Sequence, residues 1–159
     1  MSLGSADEGH LLRAIELAGQ SREKGNHPFG SLLVDPSGRV LLEAENTVVT
    51  GHDVTGHAEL NLVRSASIQL DVSSLQTSTL YTSTEPCAMC SSAIYWSGIA
   101  RVVYALGSEQ LMAIVNDVSG SSTLALSCRE VFARGARSID VSGPHLMEQA
   151  AAVHEGFWN

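Results

Sequence analysis

The sequence predicts a layered α/β domain built on a mixed sheet, and three observations carry that expectation. An opening segment repeats apolar residues at helical spacing. Two short apolar runs then flank a strong turn signal, and strand-like and helix-like stretches alternate through the rest of the chain. Residues 8–24 place Leu11, Leu12, Ile15, Leu17 and Ala18 on a helical period, with Asp7 as the expected cap and Gly25-Asn26 as the expected stop. Ser31-Leu32-Leu33-Val34 and Val40-Leu41-Leu42-Glu43-Ala44 surround Asp35-Pro36-Ser37-Gly38, whose turn residues predict an antiparallel hairpin.

A polar loop from Thr50 to Gly56 leads into a second helical period over residues 57–67, through Ala58, Leu62, Val63 and Ala66. Leu80-Tyr81-Thr82 is expected as a strand, residues 87–96 as a helix and Arg101-Val102-Val103-Tyr104-Ala105 as the next strand. The remainder predicts one or two helices within residues 108–132, a short strand over 138–141 and a helix over about 144–155. No linker, repeat or low-complexity stretch interrupts this order, so one domain over residues 1–159 is expected.

Composition narrows the class. A chain with 44% hydrophobic and 16% charged residues has the apolar content to bury a core. No apolar run approaches the ~20 residues that cross a bilayer, and the first residues lack the basic and apolar regions of a signal peptide. A cytoplasmic protein with no membrane partner is the expectation. The net charge is −8, and the nine lysine and arginine residues, Lys24 the only lysine, are scattered. Grip on a phosphate backbone needs clustered positive charge, so this pattern argues against nucleic acid as a partner. Three cysteines, an odd number, argue against a disulfide framework, and Cys128 is expected as a small buried apolar residue.

The chemistry is concentrated in two short motifs, His57-Ala58-Glu59 and Pro86-Cys87-Ala88-Met89-Cys90. One histidine and two thiolates supply three ligands to a tetrahedral Zn2+ and leave the fourth position for water. Cys87 and Cys90, three apart at a helix start, share a face, and thiolates there are favoured by the unsatisfied N–H groups. Glu59, two residues past a ligand, is placed to move protons at that water. A closed structural zinc needs a fourth side chain. His10, His27, His52, His145, His154 and Cys128 keep no ligand spacing to the motifs. A structural zinc would also leave Glu59 without a task.

The joint pattern resembles the cytidine deaminase superfamily, over a stretch from about His27 to Tyr104. It is most similar to the branch that holds guanine deaminase, tRNA adenosine deaminase and fungal cytosine deaminase. His27-Pro28-Phe29-Gly30, Asn46, Thr82-Ser83-Thr84-Glu85, the Asp53-Val54-Thr55-Gly56 lead-in and Ala93-Ile94-Tyr95-Trp96 carry the finer likeness, the last two toward guanine deaminases. The resemblance implies a three-layer α/β/α fold with a central mixed five-stranded sheet. It also implies zinc on His57, Cys87 and Cys90, with Glu59 as proton shuttle. Asn46, Phe29, the Ala58 N–H, Trp96 and Asp117 become candidate substrate contacts, and a homodimer is implied, with Trp96 and the C-terminal aromatics as interface material. Without the resemblance, Asn46 is a turn residue and Phe29 a core residue. Beyond Gly107 the likeness to guanine deaminases fades. There Phe157-Trp158 either closes a pocket or docks on its own domain.

The expected activity is hydrolytic deamination of a free aminated heterocycle, guanine first, with release of ammonia. Cytosine or a nucleoside is the alternative ring, and tRNA adenosine a further one that the acidic balance opposes. A non-catalytic zinc-stabilised binding module is the alternative of another class.

Overall fold

The structure, a computed structural model, describes residues 3–119 and 124–158, without the side chains of 116–119. Five strands form one sheet in the order β2-β1-β3-β4-β5. β1 (Gly30–Val34) pairs antiparallel with β2 (Val40–Glu45) and with β3 (Thr79–Thr84). β4 (Arg101–Leu106) runs parallel to β3, and β5 (Asp140–Ser142) parallel to β4. The mixed five-stranded sheet implied by the resemblance is present, with helices on both faces.

Strand alternation decides which helix covers which face. Leu32, Val34, Tyr81, Val103 and Ala105 pack under α1 (Ser5–Glu23), with Ala150 of α8 (Met147–Ala152) at the margin. Leu33, Leu80, Val102 and Tyr104 face the opposite layer, made of α3 (Ala58–Gln69), α4 (Val72–Thr77), α5 (Ala88–Ser97) and α7 (Cys128–Ala133). Covered on both sides, β1 is buried along its whole length, which explains its continuous rather than alternating apolar pattern. Gly30 is required where β1 meets α1. A Cβ there would lie 2.5 Å from the Leu17 Cβ and 2.6 Å from the Ala14 carbonyl oxygen. Cys128 is fully buried in the core, as expected of a small apolar residue.

Several boundaries differ from the sequence expectation, each for a local reason. α1 starts at Ser5, and Asp7 is not its cap but a first-turn residue whose carboxylate is engaged elsewhere. The loop after β2 contains a one-turn helix, α2 (Val48–Gly51), and α4 opens on Asp71, whose carboxylate accepts the Ser74 N–H at 2.7 Å. Neither is long enough to show a period. Where one or two helices were expected over 108–132, the structure has two, α6 (Ser108–Ser119) and α7. β5 lies slightly later than expected, and α8 is shorter because Leu146 adopts left-handed backbone before it and turns follow Ala152. Among the described residues no helix is long and apolar enough to cross a membrane.

The C-terminal aromatics dock on their own chain. Trp158 Nε1–H donates to His154 Nδ1 at 3.2 Å, the Phe157 ring meets His27 edge-on, and the Arg22 guanidinium lies over it. Phe29 lies against His154, with ring centroids 5.3 Å apart.

One polar clamp ties α1 to the sheet. Arg101 of β4 donates through both terminal nitrogens to the two oxygens of Asp7, at 3.0 and 2.8 Å, and Tyr81 Oη–H donates to the same carboxylate. These bonds, Arg101 first, hold the Asp7 carboxyl below the usual carboxylate range against the opposing effect of burial. The stability it contributes is present above the unfolded value near 3.9 and lost as pH falls through the lower folded value. Asp7→Asn is expected to cost about 1–2 kcal/mol at pH 7, with the gap to wild type closing in strong acid, measured by urea unfolding.

Candidate active site

Two helices begin at the carboxyl end of β3, and their first residues face each other. His57 is the N-cap of α3 and Cys87 the N-cap of α5, both with extended backbone, so each side chain projects from a helix mouth rather than from a helix flank. Cys90 follows one turn into α5 and is fully buried. Cys87 thus lies just outside the helix that the sequence assigned to it, still one turn from Cys90.

The His57 Nδ1 atom lies 3.6 Å from both Cys87 Sγ and Cys90 Sγ. Zinc bonds of about 2.3 Å to sulfur and 2.0–2.1 Å to nitrogen, at a tetrahedral angle, put such atoms about 3.6 Å apart. Donor chemistry and spacing both fit. All three ligand atoms lie within 4.8 Å of one another, and no other group of three His, Cys, Asp or Glu side chains among the described residues does so. The hydrogen bond from Cys90 and the neighbouring His57 draw the Cys87 thiol down to about 4, while that bond and burial push Cys90 up.

Glu59 lies in the first turn of α3 and is buried. Thr82, which alternation places on the same face of β3 as Leu80, donates its hydroxyl to Glu59 Oε1 at 2.6 Å. Burial raises the carboxyl above its usual range, and the Thr82 bond only partly offsets this. His57, Glu59 and Cys87 border a cavity of about 90 Å³, together with Phe29, Thr84, Glu85 and Leu111. Larger grooves lie elsewhere on the surface, but none touches the donor set.

The structure therefore brings Phe29, His57, Glu59 and Cys87 together around one space. Ala58 is the first residue of α3, so its N–H has no acceptor within the helix. Asn46 is almost fully buried behind Phe29, whose carbonyl accepts its N–H. Its Oδ1 accepts the Val48 N–H, and its amide NH2 has no hydrogen-bond partner among the described residues. Trp96 is not brought to the cavity. It is 83% exposed on the outer face of α5, where its ring meets Tyr95 edge-on. The Asp117 side chain lies outside the described residues.

Residues 5–106 match the family model of the cytidine and deoxycytidylate deaminase zinc-binding region. The chain belongs to the cytidine deaminase family. It is a deaminase, a hydrolase acting on C–N bonds of cyclic amidines, with zinc as cofactor. A "Probable cytosine deaminase" of Schizosaccharomyces pombe is 40% identical over 157 residues, covering 99% of this chain and 95% of its own length. Guanine deaminase of Bacillus subtilis is 41% identical over 99 residues, 62% of this chain and 63% of that one. The solved structure of a guanine deaminase from Nitrosomonas europaea superposes with a TM-score of 0.78 at 27% identity, covering 97% of this chain and 85% of that chain.

Thr82 and Glu85 entered the sequence analysis only within the stretch that carries the family likeness, with no role of their own, and Leu111 was not singled out. A polar threonine at an inward position of a central strand was the available signal for Thr82. Thr82→Val is expected to keep one zinc per chain and lower kcat about tenfold, since an unheld Glu59 samples more than one rotamer. Metal analysis and steady-state kinetics check it. Nearby, burial holds His154 neutral down to about 4. The unfolded chain binds this proton from about 6.5 downward, so stability is lost as pH falls between those values. Wild type is expected to lose about 1–2 kcal/mol more than His154→Phe between pH 7 and 5 in urea unfolding.

Proposed function

We propose that this protein hydrolytically deaminates a free nucleobase, with a one-ring base such as cytosine as the first candidate. The observation that carries the reading is the cavity itself. A space of about 90 Å³, with the donor set and Glu59 on one side and Phe29 and Leu111 among its walls, suits one planar ring better than a nucleoside or a tRNA loop. The match to the S. pombe protein supports the one-ring choice, because it extends through residues beyond the family model, including α6 and its Leu111. Guanine, the ring favoured by the sequence motifs, is the second reading, supported by the likeness to the Nitrosomonas europaea guanine deaminase. The scattered basic residues and the net charge of −8 oppose tRNA as the substrate.

When bound, zinc acts as a Lewis acid that brings the pKa of a coordinated water toward ~7. Glu59 takes a proton from the attacking water and passes it to the ring nitrogen beside the amine-bearing carbon. The water oxygen bonds to that carbon, and Glu59 then takes the second proton of the added water and delivers it to the departing amine, so that the C–N bond breaks, a carbonyl is left on the ring and ammonia leaves. Phe29 stacks on the ring. The NH2 of Asn46 and the N–H of Ala58 donate to its polar edge. Trp96 does not fit a contact within one chain, and we assign it to a homodimer interface instead. α5 carries no charged residue on any face, yet its Trp96 stands in solvent, as expected of a helix that a second copy covers.

Ammonia release over cytosine, isocytosine, guanine, adenine and their nucleosides tests the substrate. Turnover of a free one-ring base is expected, with nucleosides inert. Activity confined to nucleosides would overturn the proposal, and turnover of guanine alone would leave only the second reading. Glu59→Gln is expected to retain zinc and lose at least about 10³-fold in kcat. Equal inertness of wild type and variant on every ring would favour the zinc-stabilised binding module.

A further inference from the structure

Glu85 stands between the end of β3 and Pro86, two residues before a zinc ligand, and its carboxylate serves neither the donor set nor Glu59. Oε2 accepts the backbone N–H of Ser108 at 3.0 Å and its hydroxyl at 2.8 Å. Oε1 accepts the backbone N–H of Cys128 at 3.0 Å. The Glu85 N–H in turn donates to the Leu106 carbonyl at the end of β4. Ser108 opens α6, which carries the cavity-wall residue Leu111, and Cys128 opens α7, which packs beside α5. First-turn N–H groups have no acceptor inside their own helix, so each needs one from outside. Here one half-buried carboxylate supplies it to both helices. The first residues of α6 and α7 are thereby pinned to the loop that carries Cys87.

We propose that Glu85 is a positioning residue that sets the wall of the substrate pocket, holding α6 and its Leu111 against the bound ring by clamping the first turns of α6 and α7. The inference rests on the reading of this cavity as the substrate pocket. Glu85 acts through the two helices and takes no part in proton transfer. Its loss is therefore felt in substrate binding rather than in the chemical step.

The stereochemistry makes the conservative change informative. Each carboxylate oxygen faces a different backbone N–H, so either orientation of a glutamine amide turns its NH2 against one of them. Glu85→Gln is expected to bind one zinc per chain and to raise KM for the accepted base on the order of 10-fold, with kcat within about threefold of wild type. Amide hydrogen exchange at Ser108 or Cys128 is expected to accelerate by a similar factor. Ser108→Pro offers a second route. It removes the N–H and hydroxyl that reach Glu85 while leaving the carboxylate in place, and proline is tolerated at the first helical position. The same rise in KM with kcat preserved is expected. A fall in kcat at unchanged KM in either variant would overturn the proposal by placing Glu85 in the chemistry. Unchanged KM in both, with only thermal stability reduced, would overturn it by making the clamp purely structural. If wild type turns over no base, the pocket reading fails separately. Exchange at the two amides then still reports on the clamp, and unaltered exchange in Glu85→Gln overturns it.

Discussion

Everything in this molecule depends on two helices that open toward each other at the carboxyl end of one central strand. The parallel pairing of β3 and β4 forces the chain to leave β3, cross over through α5 and return, which fixes the mouth of α5 beside the strand end. α3 packs beside α5 on the same face, and its own mouth presents His57. Three soft and borderline donors then meet at three corners of a tetrahedron with no long loop needed to bring them there. The thiolates also face helix N-termini, where negative charge is favoured.

Around that point the protein sets two carboxyls in partly dry surroundings and gives each its own partners. Glu59 is enclosed and held by Thr82. Glu85 is half-enclosed yet kept below the usual carboxylate range, because the Ser108 and Cys128 bonds outweigh the burial that opposes them. The two carboxyls thus diverge through their partners. One is raised because burial outweighs the Thr82 hydroxyl and backbone bonds it accepts, the other has three donors and is lowered, which separates a group able to exchange protons from one that anchors backbone.

Much of this was legible in the sequence because the signals were local. The hairpin turn, the helical period of residues 8–24 and the ligand spacing each involve residues within a few positions of one another, and local rules govern them. What stayed hidden depends on distant pairings. Asp7 has the composition of a cap, but Arg101, far along the chain, claims its carboxylate. α2 and α4 are too short for periodicity to reveal. The likeness to guanine deaminases at Ala93-Ile94-Tyr95-Trp96 did not disclose that Trp96 points outward, since neighbours on a helix turn to different faces. Glu85 belonged to a stretch that carried the family likeness, but its task stayed hidden, because its three donors come from later segments that no spacing rule connects to it.

The most direct test of this account is X-ray absorption at the zinc edge of the metal-loaded protein. Two sulfur neighbours at about 2.3 Å, one imidazole nitrogen at about 2.0–2.1 Å and a fourth position filled by no protein side chain are the expected shell. A fourth sulfur or imidazole neighbour would close the site and contradict the enzyme that the rest of the structure describes.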